Sequence, residues 1–206
     1  MEAMVGLGLG LGLGLTNSQR PAAARDSNEI PTSALLLQSL VTAGVNVPEG
    51  ARIVTVTLPW VAIMSEIAKD PKFLFHFVQA PRKFEEFIAG AYEQAGYNVI
   101  LTPQRGDFGR DVIASKEGFG SVRILDQAKA YSSGHLVGHD ELRAMLGVLS
   151  ADQNASKAVI STTSAFQPGV LSSAEFTKFM PYRLELKDGP ALSAWLEELR
   201  NKKPAL

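Results

Sequence analysis

Between Gly106 and Tyr131 the chain reads GDFGRDVIASKEGFGSVRILDQAKAY, and this stretch constrains the fold more than any other. Two runs rich in β-forming residues, 111–114 and 122–129, flank the Gly-containing stretch 115–120, a pattern that predicts a hairpin. Side chains alternate across a strand, so Gln127 and Lys129 share one face and Ala128 points to the other. The expected register sets Asp111, on the first strand, beside them.

An acid, an amide and a lysine in that arrangement suit phosphodiester hydrolysis. Such chemistry needs a divalent cation to polarise a phosphoryl oxygen and acidify a water, and a fixed positive charge to orient that water or offset developing charge. Asp111 is the candidate anionic metal ligand and Lys129 the candidate cation. Mg²⁺ prefers hard oxygen ligands and keeps several waters, so few protein ligands suffice. Gln127 can offer its amide oxygen, which is neutral and a poorer ligand than a carboxylate.

The 206 residues are enough for one domain of ordinary size plus an appendage. Without Cys the chain has neither a disulfide framework nor a thiolate zinc site, and a cytoplasmic location is the default expectation. The 20 basic and 21 acidic residues leave no global basic footprint, so any nucleic-acid surface must be local. Arg105, Arg110, Lys116, Arg123 and Lys129 are its candidates, against the alternative of scattered solvated charge.

Residues 1–28 hold a Gly-Leu repeat followed by a polar stretch. Repeated Gly disfavours a helix, Glu2 and the lack of an early Lys or Arg argue against an export signal, and the apolar run is too short to span a bilayer. A disordered tail or a non-native start is expected. Residues 29–80 form an N-terminal α/β segment of undetermined role, with helices expected over 33–43 and 60–69 and a strand over 52–58. From residue 81 to 206 a single domain is expected: helix 84–95, strand 98–102, the hairpin, helix 140–151, strands 157–163 and 182–186, and helix 190–200 with Leu192, Trp195, Leu196 and Leu199 inward. The class is α/β, a mixed sheet flanked by helices.

Phe84-Glu85-Glu86-Phe87 supplies two further carboxylates. At about 100° per residue, Phe87, Ile88, Ala91 and Ala95 cluster with Phe84, Glu85 borders that apolar face, and Glu86 lies nearly opposite. Glu85 can look into the sheet, whereas Glu86 reads as a solvated residue near a helix N-terminus.

FEEFIAGAYEQAGY (84–97), GDFGRDVIA, QAKAY and AVISTTSAF (158–166), in this order, resemble the Mrr-like restriction endonucleases, a branch of the PD-(D/E)xK nuclease superfamily. The resemblance implies a restriction-endonuclease-like fold and Mg²⁺-dependent (or Mn²⁺-dependent) cleavage of double-stranded DNA, plain or modified. It maps the helix Glu to Glu85, the central Asp to Asp111 and the Gln-x-Lys pair to Gln127 and Lys129. Glu85, Asp111 and Gln127 would be the metal ligands, no organic cofactor is implied, and double-strand cleavage would call for a homodimer or a larger partner. Gln127 stands where the superfamily more often has Glu, though the Mrr-like branch commonly uses Gln. Phe108 stands where Gly is usual, so the turn is expected either to be strained or to take another shape. A non-catalytic DNA-binding accessory protein and a structure-selective resolvase are the alternatives.

Other features read more plainly. Asp107 fits a Gly-Asp turn, and Asp126 points away from Gln127. The Thr162 and Thr163 hydroxyls, at a strand end beside the hairpin, could contact phosphate. His135 and His139 lie in an expected loop without a third ligand, so zinc is not indicated, and His76 among Phe73, Phe75 and Phe77 is structural.

Overall fold

A computed structural model describes residues 31–106 and 108–202. The Gly-Leu repeat with the rest of the expected tail, and Asp107, lie outside the described residues. Helix α1 (Thr32–Leu37) leads into strands β1 (Val41–Val47) and β2 (Gly50–Val56), then helix α2 (Leu58–Lys69), a 3-10 segment (Pro71–Gln79) and helix α3 (Pro81–Gln94). Strands β3 (Asn98–Leu101), β4 (Val112–Lys116) and β5 (Val122–Lys129) follow, then α4 (His139–Ala151), β6 (Lys157–Thr162), the short α5 (Pro168–Ser172) and α6 (Ala174–Thr177), β7 (Leu184–Lys187) and α7 (Gly189–Asn201).

The seven strands make one sheet in chain order, antiparallel from β1 to β5 and parallel from β5 to β7. The change of direction follows from the connections: a tight turn joins β4 to β5, whereas parallel neighbours need a crossover, supplied by α4 and then by α5 and α6. One core lies between the sheet and α2, α3 and α7. It holds Phe84, Phe87, Ile88, Val99, Val112, Ile124, Leu192 and Leu196. The other lies on the opposite side under α4, with Ile113, Leu125, Leu142, Met145, Leu149 and Ile160.

Sequence periodicity and structure part company in several places, three of which have a clear physical cause. The helix expected over 33–43 stops at Leu37, and Val41 opens β1. Pairing with β2 (Val41↔Val56, Thr42↔Thr55) overrides the local helical pattern, as β-branched Val and Thr permit. Helix α3 starts three residues before its expected start at Phe84, because Pro81 fits the first helical turn, where its missing N–H is not needed. The 3-10 segment was not expected at all; its start is fixed by the Asp70 carboxylate, which accepts the Lys72 N–H at 2.9 Å.

Residues 31–80 are continuous with the rest of the sheet, since β2 pairs with β3 (Ala51↔Leu101, Ile53↔Val99). Trp60 of α2 donates its indole N–H to the Phe87 carbonyl at 3.0 Å and stacks on the Phe87 ring at 5.5 Å. Gly90 makes this approach possible: a Cβ there would stand 2.5 Å from the indole nitrogen.

Candidate active site

Register sets the candidate residues at one end of the sheet. Leu101 at the end of β3 pairs with Val112, Val112 with Asp126, and Lys129 at the end of β5 with Thr162 at the end of β6. The first turns of α3 come to the same end, where Glu85 shares an open cleft with Gln104, a residue just past β3.

Asp111 lies immediately before β4 rather than within it. One step beyond Val112↔Asp126, the register sets it opposite Gln127. Its N–H donates to the Asp126 carbonyl at 2.9 Å, and its own carbonyl accepts from the Thr102 N–H at 3.0 Å. The Thr102 hydroxyl also donates to the Arg110 carbonyl at 2.8 Å. The Asp111 carboxylate oxygen Oδ2 accepts the Ala128 N–H at 2.8 Å, so a side chain takes over where β4 no longer supplies a ladder carbonyl. The bond orients the carboxylate.

Gln127 and Lys129 follow the alternation of β5. Ile124 packs in the α3-side core and Leu125 in the α4-side core, so Gln127 and Lys129 point to the α4 side. Asp111 and Gln127 are thus neighbours, and Lys129 follows on the same face. Glu85 sits on α3, which covers the other face, and its carboxylate is ion-paired with Arg82. Among the described residues no group of three or more His, Cys, Asp or Glu side chains gathers as a metal site.

Several expectations change here. Glu86 is not solvated: it accepts the Leu40 N–H at 2.9 Å, pairs with Lys83 at 2.8 Å, and so ties α3 to the start of β1. Two of the five residues of the expected basic patch are neutralised by ion pairs. Arg110 and Arg123 both pair with Glu49 and Asp152, a clasp joining the β1–β2 turn, the end of α4 and the residue before Asp111. Burial works against the Arg123 charge, but its bonds to Glu49 and Asp152 outweigh this and hold it protonated. Lys116 lies at the far end of β4, over the Tyr97 ring at 5.8 Å, and Arg105 remains exposed. Thr162 and Thr163 are buried, and their hydroxyls donate to the carbonyls of Lys129 at 2.9 Å and Tyr131 at 2.7 Å rather than facing phosphate. His139 opens α4 instead of lying in a loop, with its ring against Phe176; His135 stacks on Tyr131 at 4.0 Å.

Asp126 does point away from Gln127, and it is a feature whose importance the sequence did not reveal. It is 1% exposed, with Oδ2 accepting from Tyr92 Oη at 2.8 Å and Ser161 Oγ at 2.9 Å, while Oδ1 has no partner among the described residues. Burial pushes its pKa up to about 6 against the opposing pull of those two hydroxyls and Lys187.

The turn before Asp111 keeps the conformation usual for glycine. Phe108 takes φ +54°, between Gly106 at +75° and Gly109 at +77°, and is 78% exposed. It therefore pays the steric cost of a left-handed residue with little packing in return. Phe108→Gly is expected to raise the unfolding free energy by about 1 kcal/mol in urea titration, after allowing for the extra freedom of Gly in the unfolded chain.

Two solved structures resemble the chain: the MspJI restriction endonuclease in complex with a 27-mer oligonucleotide (18% identity, TM-score 0.45) and the DNA modification-dependent restriction endonuclease AspBHI (18%, 0.47). The alignments cover 66% and 71% of this chain but only 30% and 41% of theirs, so the chain spans less than half of either protein. No match was found among curated proteins. Residues 79–196, more than half of the chain, match the Mrr catalytic-domain family of restriction endonucleases. With its mixed sheet between helices, and the acid, amide and lysine at one sheet end, the chain belongs to the Mrr restriction endonuclease family and has the restriction-endonuclease-like α/β fold.

Proposed function

We propose that the chain is a Mg²⁺-dependent DNA endonuclease of restriction or defence type that hydrolyses phosphodiester bonds. The observation that carries this reading is the Asp111 carboxylate, oriented by the Ala128 N–H and set across the β4–β5 pair from Gln127, with Lys129 next on the same face. The donors fit a hard cation: Asp111 offers a charged oxygen, Gln127 an amide oxygen, and neither thiolate nor clustered imidazole competes among the described residues. Asp111 and Gln127 would hold the metal, and Glu85 would join them only by leaving Arg82 and reaching around the sheet end from α3. A metal bound there would lower the pKa of a water and polarise the scissile phosphate. The Lys129 ammonium would orient the attacking water in line with the leaving oxygen and offset charge building on the phosphoryl group. Mn²⁺ is the natural substitute ion. Double-stranded DNA is the proposed substrate, and paired cuts would call for a homodimer.

A second reading, a DNA-binding accessory protein without turnover, is favoured by the Arg82–Glu85 pair and by a neutral Gln127 in the metal shell. Cleavage of supercoiled plasmid, with plain, modified and branched substrates in parallel, separates the two. Activity is expected with Mg²⁺ or Mn²⁺, none with chelator, and a loss of about 10²–10³-fold in Lys129→Met, the scale of removing one charge-stabilising donor. DNA binding without cleavage of any substrate would establish the accessory reading instead, and preference for branched DNA would mark a resolvase.

A further inference from the structure

We propose that Thr162 is the positioning residue for Lys129, setting through one hydroxyl the place from which the lysine reaches the scissile phosphate; the inference rests on the endonuclease reading above. The Lys129 carbonyl is a junction. It accepts from Thr162 Oγ1 at 2.9 Å, from the Thr163 N–H at 3.1 Å and from the Tyr131 N–H at 3.1 Å. Two of these donors are backbone groups that any residue would supply. The remaining one depends on a side chain.

That side chain is fixed in both directions. Thr162 is fully buried, its hydroxyl donates to Lys129, and the same oxygen accepts the Ser164 N–H at 3.2 Å. Such a hydroxyl has no other orientation to adopt without abandoning a buried partner. The contact also comes where β5 most needs one. Lys129↔Thr162 is the last pair of the β5–β6 ladder, and the chain beyond turns at once through the Tyr131 N–H. A lysine ammonium rides on a long flexible stem, and the direction of the Cα–Cβ bond sets where that stem starts and which way it leaves the strand. Holding the carbonyl of the same residue holds that direction.

Residue types make the idea separable from stability. Thr162→Val keeps the volume and loses the hydroxyl; Thr162→Ser keeps the hydroxyl and loses a methyl. In plasmid cleavage, Thr162→Val is expected to lower kcat by about 10–100-fold, the range typical of residues that orient a site from behind. KM should stay near wild type, so that the loss falls on kcat alone. Thr162→Ser is expected to restore kcat despite its smaller side chain. Wild-type kcat in Thr162→Val, or losses in both variants that merely track their thermal stability, would overturn the proposal.

If the wild-type protein cleaves no DNA, the endonuclease reading fails, and the positioning role is judged on ¹³C-methylated lysines by NMR. The Lys129 signal is assigned by its absence in Lys129→Ala. It is expected to shift in Thr162→Val and stay in place in Thr162→Ser; a signal unmoved by Thr162→Val would overturn the inference.

Discussion

Asp111→Asn is expected to remove metal-supported cleavage to below detection while leaving the unfolding free energy close to wild type. Asp111→Ala is expected to remove cleavage and also to cost about 1–3 kcal/mol of stability. The difference follows from the two jobs of one carboxylate. As a hydrogen-bond acceptor it satisfies the Ala128 N–H at 2.8 Å, where β4 has ceased to do so. The Asn amide oxygen can take over that role, but Ala cannot and leaves the N–H without its acceptor. As an anion it is the strongest oxygen donor of the proposed metal set, and a neutral amide beside the already neutral Gln127 would leave that set without charge on the strands. Cleavage assays with urea titrations on the same preparations check both halves. Retained cleavage in Asp111→Asn would remove Asp111 from the proposed site; equal stability of the two variants would contradict the structural half.

The candidate site was legible to the extent that its parts are local. Gln127 and Lys129 share a face because strands alternate, and their spacing is enough to show it. The β4–β5 hairpin was likewise legible from two β-rich runs around a Gly turn, and α7 from Leu192, Leu196 and Leu199 with the Asp188 cap, whose carboxylate accepts the Ala191 N–H at 3.0 Å. Features that depend on distant partners were not legible. Helical angles set Glu86 apart from the inward face, but its partner is the Leu40 N–H, 46 residues earlier in the chain. Arg110 and Arg123 look like a nucleic-acid patch until Glu49 and Asp152 fold against them. Strand β1 was hidden by a helical pattern because its pairing partner β2 decides it. Thr162 drew notice for its hydroxyl, yet only the β5–β6 register shows that the hydroxyl faces a carbonyl rather than solvent.

The buried Asp126 is expected to give the protein a stability that falls as pH rises from about 4 to about 6, relative to Asp126→Asn. The groups facing it are Tyr92 from α3, Ser161 from β6, and Lys187 of β7 with its ion-pair partner Glu185. Burial is the dominant influence and raises its pKa from 3.8 to about 6; the two hydroxyls and Lys187 pull the other way without cancelling it. A carboxyl that holds its proton more tightly when folded favours the folded state while protonated, and that advantage is lost as pH rises through the folded pKa. A gap of about 2 units corresponds to about 3 kcal/mol. Unlike an exposed carboxyl, Asp126 is shielded from solvent that would screen the effect. The wild-type and Asp126→Asn stability curves, measured by urea unfolding from pH 4 to pH 7, should therefore diverge by about 2–2.5 kcal/mol, the wild type losing ground as pH rises. Tyr92→Phe removes a donor from Oδ2, moves the Asp126 pKa further up and widens the interval. A constant difference between wild type and Asp126→Asn across this range would mean that Asp126 titrates alike in the folded and unfolded chains.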